Sequence, residues 1–127
     1  MLIKIGFKEC SDYIKLKADK DIKFKYLNPS VVIIEYLVNI DLKIKSLNND
    51  EIILGYDLNK IAEMMAKGQI QDIFNKLDAN IIKINMDRRE IYVNLANVPG
   101  LNQFLKDFII SSLGFDKDGI NIELSIR

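Results

Sequence analysis

Residues 31–46 read VVIIEYLVNIDLKIKS. Every even position from Val32 to Ile44 is apolar or aromatic: Val32, Ile34, Tyr36, Val38, Ile40, Leu42 and Ile44. Alternation with a period of two is the signature of a β-strand with one buried face. As a single strand at about 3.3 Å per residue, the stretch would reach roughly 50 Å, well beyond an ordinary strand. A strand of that length has to bend, cross sheets or cover a large object. Its first half is apolar on both faces, because Val31, Ile33 and Leu37 fill the odd positions. Its second half is one-sided, with Asn39, Asp41, Lys43 and Lys45 outward. The pattern predicts a strand covered on both sides early and on one side late.

Working outward, Asn48-Asn49-Asp50 is a turn of residues that tolerate positive φ. Pairing Ser46 with Ile52 and Ile44 with Leu54 then makes a hairpin with one apolar face. Upstream, Ile3, Ile5 and Phe7 alternate as a short first strand. Ile14, Leu16 and Ala18 alternate with lysines, as do Ile22, Phe24 and Tyr26. A hairpin turning at Asp19-Lys20-Asp21 would put all six on one face.

Downstream, Asp57 is placed to cap a helix over about 58–77. Its stripe Leu58, Ile61, Ala62, Met65 is out of phase with the later stripe Ile70, Ile73, Phe74, Leu77, so a kink is expected near Gly68. Ile82, Ile84 and Met86 answer Leu95, Val93 and Ile91 across a second hairpin. Pro99 opens a predicted helix over 101–113, with Leu101, Phe104, Leu105, Phe108, Ile109 and Ser112 on one face. Ile120, Ile122, Leu124 and Ile126 form a closing strand. The expected fold is α+β in one domain over 1–127: a mainly antiparallel, strongly curved sheet of about seven strands, with the two helical segments on one face.

The chain is 127 residues long, enough to build its own core. Eighteen basic residues balance eighteen acidic ones, so net charge favours neither a nucleic acid nor a membrane. There is no histidine, and Cys10 is the only cysteine. An internal disulfide, a Cys-based zinc site and every His-dependent catalytic arrangement are thereby excluded. No cofactor or metal is expected. Neither a signal peptide nor a membrane-spanning run of about 18 apolar residues is present, which makes a cytoplasmic location the default expectation.

The predicted first hairpin sets Lys15 opposite Lys25 and Lys17 opposite Lys23. Such a face would suit phospholipid head groups, nucleic acid or an acidic protein; the alternative is a solvated face whose lysines blunt edge pairing. Phe24 and Tyr26 point to the opposite face, which counts against base stacking and hence against nucleic acid. Glu35 lies between Ile33 and Leu37 without a second carboxylate to work with. Asp116, Asp118 and Gly119 make a turn rather than a calcium loop, since the remaining spaced ligands are missing. Arg88-Arg89 at a hairpin tip could grip a phosphate or simply be exposed. Met64 falls off the main helix stripe and is a candidate partner contact.

The stretches VVIIEYLVNIDLKIKS, DLNKIAEMMAKGQIQDIFNKL and IIKINMDRREIYVNL, closed by FDKDGINIELSI, follow an order that resembles the tubular lipid-binding superfamily. The similarity covers roughly residues 31–126 and leaves out the N-terminal Lys-rich stretch. It implies a curved antiparallel sheet wrapped around a helix, with lipid tails held between them. It assigns no individual binding residue. Taken together, these readings lead to a non-enzymatic binding domain for an apolar or lipid-like ligand, with Tyr36, Met65, Phe74, Phe104 and Phe108 as candidate lining. A second expectation is a protein-interaction or assembly module with a solid core, forming homo-oligomers through a sheet edge. A third is anionic-surface binding through Lys15, Lys17, Lys23 and Lys25.

Overall fold

The computed structural model describes all residues, 1–127. The fold is α+β, with two helices and two antiparallel sheets, neither of them closed. Strand β1 (Leu2–Gly6) leads into helix α1 (Phe7–Ala18). Strands β2 (Lys23–Asn28), β3 (Val31–Tyr36), β4 (Val38–Asn48) and β5 (Glu51–Asp57) follow. Helix α2 (Lys60–Lys76), β6 (Ile82–Asn85), β7 (Glu90–Asn94), a 3-10 turn (Leu95–Asn97), β8 (Phe108–Phe115) and β9 (Gly119–Ile126) complete the chain. Six strands form one sheet in the order β2-β3-β4-β5-β7-β6, and three form another in the order β1-β9-β8. The expected single sheet of about seven strands is therefore nine strands in two sheets. No helix is long and apolar enough to cross a membrane.

The long strand is a hairpin. The chain folds back at Leu37, so that Ile34 faces Ile40 and Val32 faces Leu42. A pivot on one residue pairs even positions with even positions. The alternation therefore runs through the turn without a break in phase. The odd-face apolar residues Val31 and Ile33 lie opposite Lys43 and Asp41, so the change from two-sided to one-sided character separates two neighbouring strands.

The predicted N-terminal hairpin is replaced by α1. Phe7, Cys10, Ser11, Ile14 and Ala18 recur at helical spacing, and Leu16 points to solvent. The helix gains Lys8–Asp12 and Lys15–Asp19 pairs at 3.2 and 3.3 Å, and a capping contact from Glu9 to the Gly6 N–H. The hairpin would instead have set lysine against lysine. Asp19 closes the helix in the left-handed region.

Helix α2 is one continuous element across Gly68, capped by Asn59, whose side chain accepts from the Ala62 N–H at 2.8 Å. The expected cap Asp57 pairs with Arg89 instead. The buried stripe is Ala62, Ala66, Ile70, Ile73, followed by Leu77, and it needs no change of phase. Ile61, Met64 and Met65 are left exposed.

The second predicted helix, 101–113, does not form. Residues 98–107 make a series of turns, and the chain then extends as β8 against β9. The β-branched pair Ile109-Ile110 favours the strand, where Ile110 becomes buried. The β4–β5 hairpin keeps the expected Ile44–Leu54 pair, but a bulge at Lys45 moves Leu47 rather than Ser46 opposite Ile52. The β6–β7 hairpin pairs Ile84 with Ile91, a two-residue shift from the expected register that leaves the same face inward. Ile122 and Leu124 of β9 are buried, whereas Ile126 is exposed.

Both sheets contribute to one core, in which Val32, Leu54, Ile91, Ile122 and Leu124 are among the buried residues. Phe7 stacks on Phe24 with centroids 5.3 Å apart and lies 6.2 Å from Phe115, joining α1, β2 and β8.

Candidate functional site

The inward faces of both sheets and of both helices do not close on each other. They enclose a cavity of about 600 Å³. Thirty of its 34 lining residues are hydrophobic, so its wall is almost wholly apolar. The alternating residues of the strands supply most of the wall: Val32 and Ile34 from β3, Ile40 and Leu42 from β4, Leu54 and Tyr56 from β5. Ile70, Ile73 and Phe74 of α2 form the opposite side. No fully enclosed side-chain nitrogen or oxygen is left without a partner. Of the lining tyrosines, Tyr13 and Tyr36 are hydrogen-bonded through their hydroxyls and Tyr56 is not.

Exposed lining residues mark where the cavity meets solvent. Glu9 and Lys17 of α1, Asp78 of the α2–β6 loop and Pro99 are of this kind. Half-buried Tyr13 lies between Glu9 and Lys17 on α1, one helical turn from each. Its hydroxyl accepts from the Asp78 N–H at 3.3 Å. Asn97 Nδ2 donates to the Asn80 carbonyl at 2.7 Å, bringing the Pro99 segment to the same loop. The mouth is thus built from α1, the loop after α2 and the chain following β7.

Cys10 sits in the wall, where burial, with a smaller contribution from Glu9, pushes its thiol up to about 11. It is a packing residue rather than a nucleophile at neutral pH. Burial, then the charge of Glu63, also raises the Tyr56 hydroxyl above its ordinary value. No three acidic or cysteine side chains converge as a metal cage would require.

Tyr36 and Phe74 line the cavity, and the Tyr36 hydroxyl donates to Gln69 Oε1 at 3.0 Å at its edge. Met65 faces solvent. Phe104 lies by a small separate hollow with Leu101 and Leu105, and Phe108 packs at the start of β8. Lys15 and Lys17 lie on α1 while Lys23 and Lys25 lie on β2, so the lysine-faced hairpin does not form. Lys15 is held by Asp19 and Asp21 at 3.3 and 3.6 Å. Lys23 stands opposite Glu35, and Lys25 opposite Ile33.

Two ion-pair groups brace the scaffold around the cavity. Arg89 donates to Asp57 at 3.0 Å and also pairs with Glu63, tying the β6–β7 turn to the first turn of α2. Glu90 is buried, pairs with Lys45 and accepts from the Tyr92 hydroxyl at 2.7 Å; those bonds, that of Lys45 above all, lower its pKa.

Sequence reasoning missed most of the wall contributed by α1 and β8, and found that of β9. Phe7, Cys10 and Ile14 at helical spacing were the available signal for α1. Comparison with family models, curated proteins and solved structures gives no match to this chain.

Proposed function

We propose that the protein is a non-enzymatic binding domain that holds an apolar, lipid-like molecule in the central cavity. The observation that carries this reading is the cavity's size combined with its apolar wall. Protein interiors are close-packed, with few voids larger than a water molecule. At roughly 24 cal/mol per Å³, leaving a cavity of about 600 Å³ dry would cost about 14 kcal/mol. That matches the entire stability of an ordinary domain, about 5–15 kcal/mol. Water is a poor filler, because each molecule needs about 2–4 polar partners and the wall offers few. An apolar ligand removes the penalty, and the volume lies within the range of small-molecule sites, about 300–1,000 Å³. The similarity to the tubular lipid-binding superfamily points the same way. It is the lesser support, because the single long strand that led it is a hairpin.

Native mass spectrometry of the purified protein, followed by organic extraction, tests the reading. The expected result is a retained or exchangeable apolar compound. A crystal structure with side chains collapsed into the cavity, together with no binding of any alkyl compound, overturns it.

A second reading, a protein-interaction or assembly module, draws on one observation: Ile61, Met64 and Met65 are exposed on one face of α2. Sedimentation velocity separates the readings. Self-association that Met64→Lys with Met65→Lys abolishes favours an interface, and a monomer at all concentrations argues against one.

A further inference from the structure

We propose that the cavity's ligand is an alkyl chain bearing one anionic head group, and that Lys17 receives that head at the mouth. This rests on the apolar-ligand reading above and names its chemical class. The wall carries three formally charged residues: Glu9, Lys17 and Asp78. Each of the two carboxylates already accepts one backbone N–H. Glu9 accepts from the Gly6 N–H at 3.4 Å, in the first turn of α1, where the helix dipole favours a negative charge. Asp78 accepts from the Asn80 N–H at 2.9 Å and shapes its loop.

Lys17 is different. The neighbouring lysines of α1 are paired, Lys8 with Asp12 and Lys15 with Asp19 and Asp21, but Lys17 makes no ion pair. It lies in the last turn of the helix, two turns beyond Glu9. Those eight residues correspond to about 12 Å of helix axis, more than the Debye length of about 8 Å at physiological salt. Glu9 is not an ion-pair partner of Lys17. A lysine also combines an alkyl stem, which can lie along an apolar rim, with an ammonium group that stays in water. A ligand seated with its chain inside and its head at this rim meets an apolar wall first and an unpaired cation last. A charged head group in the interior would meet no charged partner, because the only charged lining residues are the exposed ones at the mouth, and this favours tail in, head out.

Isothermal titration of delipidated protein with dodecanoate, dodecyl phosphate, dodecanol and dodecylamine, each below its aggregation concentration, tests this. Dodecanoate or dodecyl phosphate should bind about fivefold more tightly than dodecanol, a preference of the size given by one partly exposed ion pair. The preference should shrink in about 1 M salt, where the Debye length falls to about 3 Å. Lys17→Gln should remove it, bringing the anions to the affinity that the same variant shows for dodecanol, and Asp78→Asn should strengthen it slightly. Whichever of the two anions binds more tightly identifies the head as carboxylate or phosphate. Equal binding of the alcohol and the anions, tighter binding of the amine, or an anion preference that survives Lys17→Gln overturns the inference while leaving the apolar-ligand reading intact. Binding of none of the four compounds overturns both.

Discussion

Leu37 has a φ of 53°, in the left-handed region that costs an L-residue with a Cβ roughly 1–2 kcal/mol. Its side chain is 66% exposed, so it regains little by packing. Leu37→Asn should therefore raise unfolding free energy by about 0.5–1 kcal/mol in urea titrations, since asparagine enters this region more readily. Asp116 is the opposite case, a residue with every contact in place. Its Oδ1 accepts from the Asp118 and Gly119 N–H groups at 2.8 and 2.9 Å, and its Oδ2 accepts from Lys4 and Asn121 at 2.9 and 2.8 Å. The Lys4 bond first, then that of Asn121, holds its carboxyl well below the usual carboxylate range. A depressed folded pKa gives stability that is present above the unfolded value of about 3.9 and is lost as pH falls toward the folded one. Asp116→Asn should lower the melting temperature at pH 7, with the gap to the parent closing as pH is taken below about 4. Cys10, raised to about 11 and placed in the cavity wall, should react slowly with thiol reagents at pH 7.5, and more slowly still with dodecanoate bound. Equal rates with and without ligand would mean that the ligand does not occupy the Cys10 side of the cavity.

Helix α2 shows how an element can satisfy its own periodicity in more than one way. The expected stripe runs through Leu58, Ile61, Ala62 and Met65, with a correction at Gly68; Leu58 and Ala62 are buried, Ile61 and Met65 are not. The stripe in use runs through Ala62 and Ala66, and Ala66 is fully buried. Two alanines allow the helix to lie close to the core, and the larger residues turn outward. Ala66→Leu should overpack this contact and cost about 1–3 kcal/mol, whereas Met65→Lys should change stability by less than about 0.5 kcal/mol. Equilibrium denaturation of the two variants checks the register, and the reverse ranking would place Met65 inside. The segment 101–113 illustrates the same competition between periods. Leu101, Phe104, Leu105 and Phe108 have helical spacing, and the Leu105 and Phe108 N–H groups do bond four residues back, to Leu101 and Phe104, at 3.2 and 3.1 Å. From Phe108 onward the pairing available from β9 outweighs a further turn of helix.

At the scale of the whole molecule, two open sheets and two helices surround a space that their side chains do not fill. A ligand that occupies it binds the folded state alone and stabilises it by mass action. At a concentration of about 100 times its Kd, the gain is about 2.7 kcal/mol, or on the order of 10 °C in melting temperature for a chain of this size. Thermal unfolding of delipidated protein with and without dodecanoate measures this shift, and its absence would count against the cavity as a binding site. The Arg89 bridge to Asp57 and Glu63 also belongs to this scale, because it joins the β6–β7 turn, the end of β5 and the start of α2. Its members are partly exposed, so Arg89→Ala should cost at most about 1 kcal/mol, and less in high salt.

Much of the architecture is legible in local pattern. Period-two alternation identified the inward faces of what are now β3, β4, β5 and β9, and those residues, Ile126 excepted, line the cavity or the core beside it. The turn at Asn49, with its φ of 55°, followed from residue type. The α+β class and the presence of two helices were also within reach, although one of the two lay elsewhere in the chain. What pattern could not supply was any choice between arrangements of equal parity. A hairpin pivoting on Leu37 and a single long strand put the same side chains on the same face, and so does a two-residue shift of the β6–β7 register. The residues 7–18 carry both a helical and an alternating reading, and the choice falls to contacts made with distant partners such as Phe24 and Phe115. The stretch 31–46 thus determined by itself which side chains face inward, because alternation is a property of the local backbone. Only the tertiary structure decided that it folds back on itself and that the faces it presents enclose a space. Both depend on how far apart the opposing elements come to rest, and no local spacing encodes that distance.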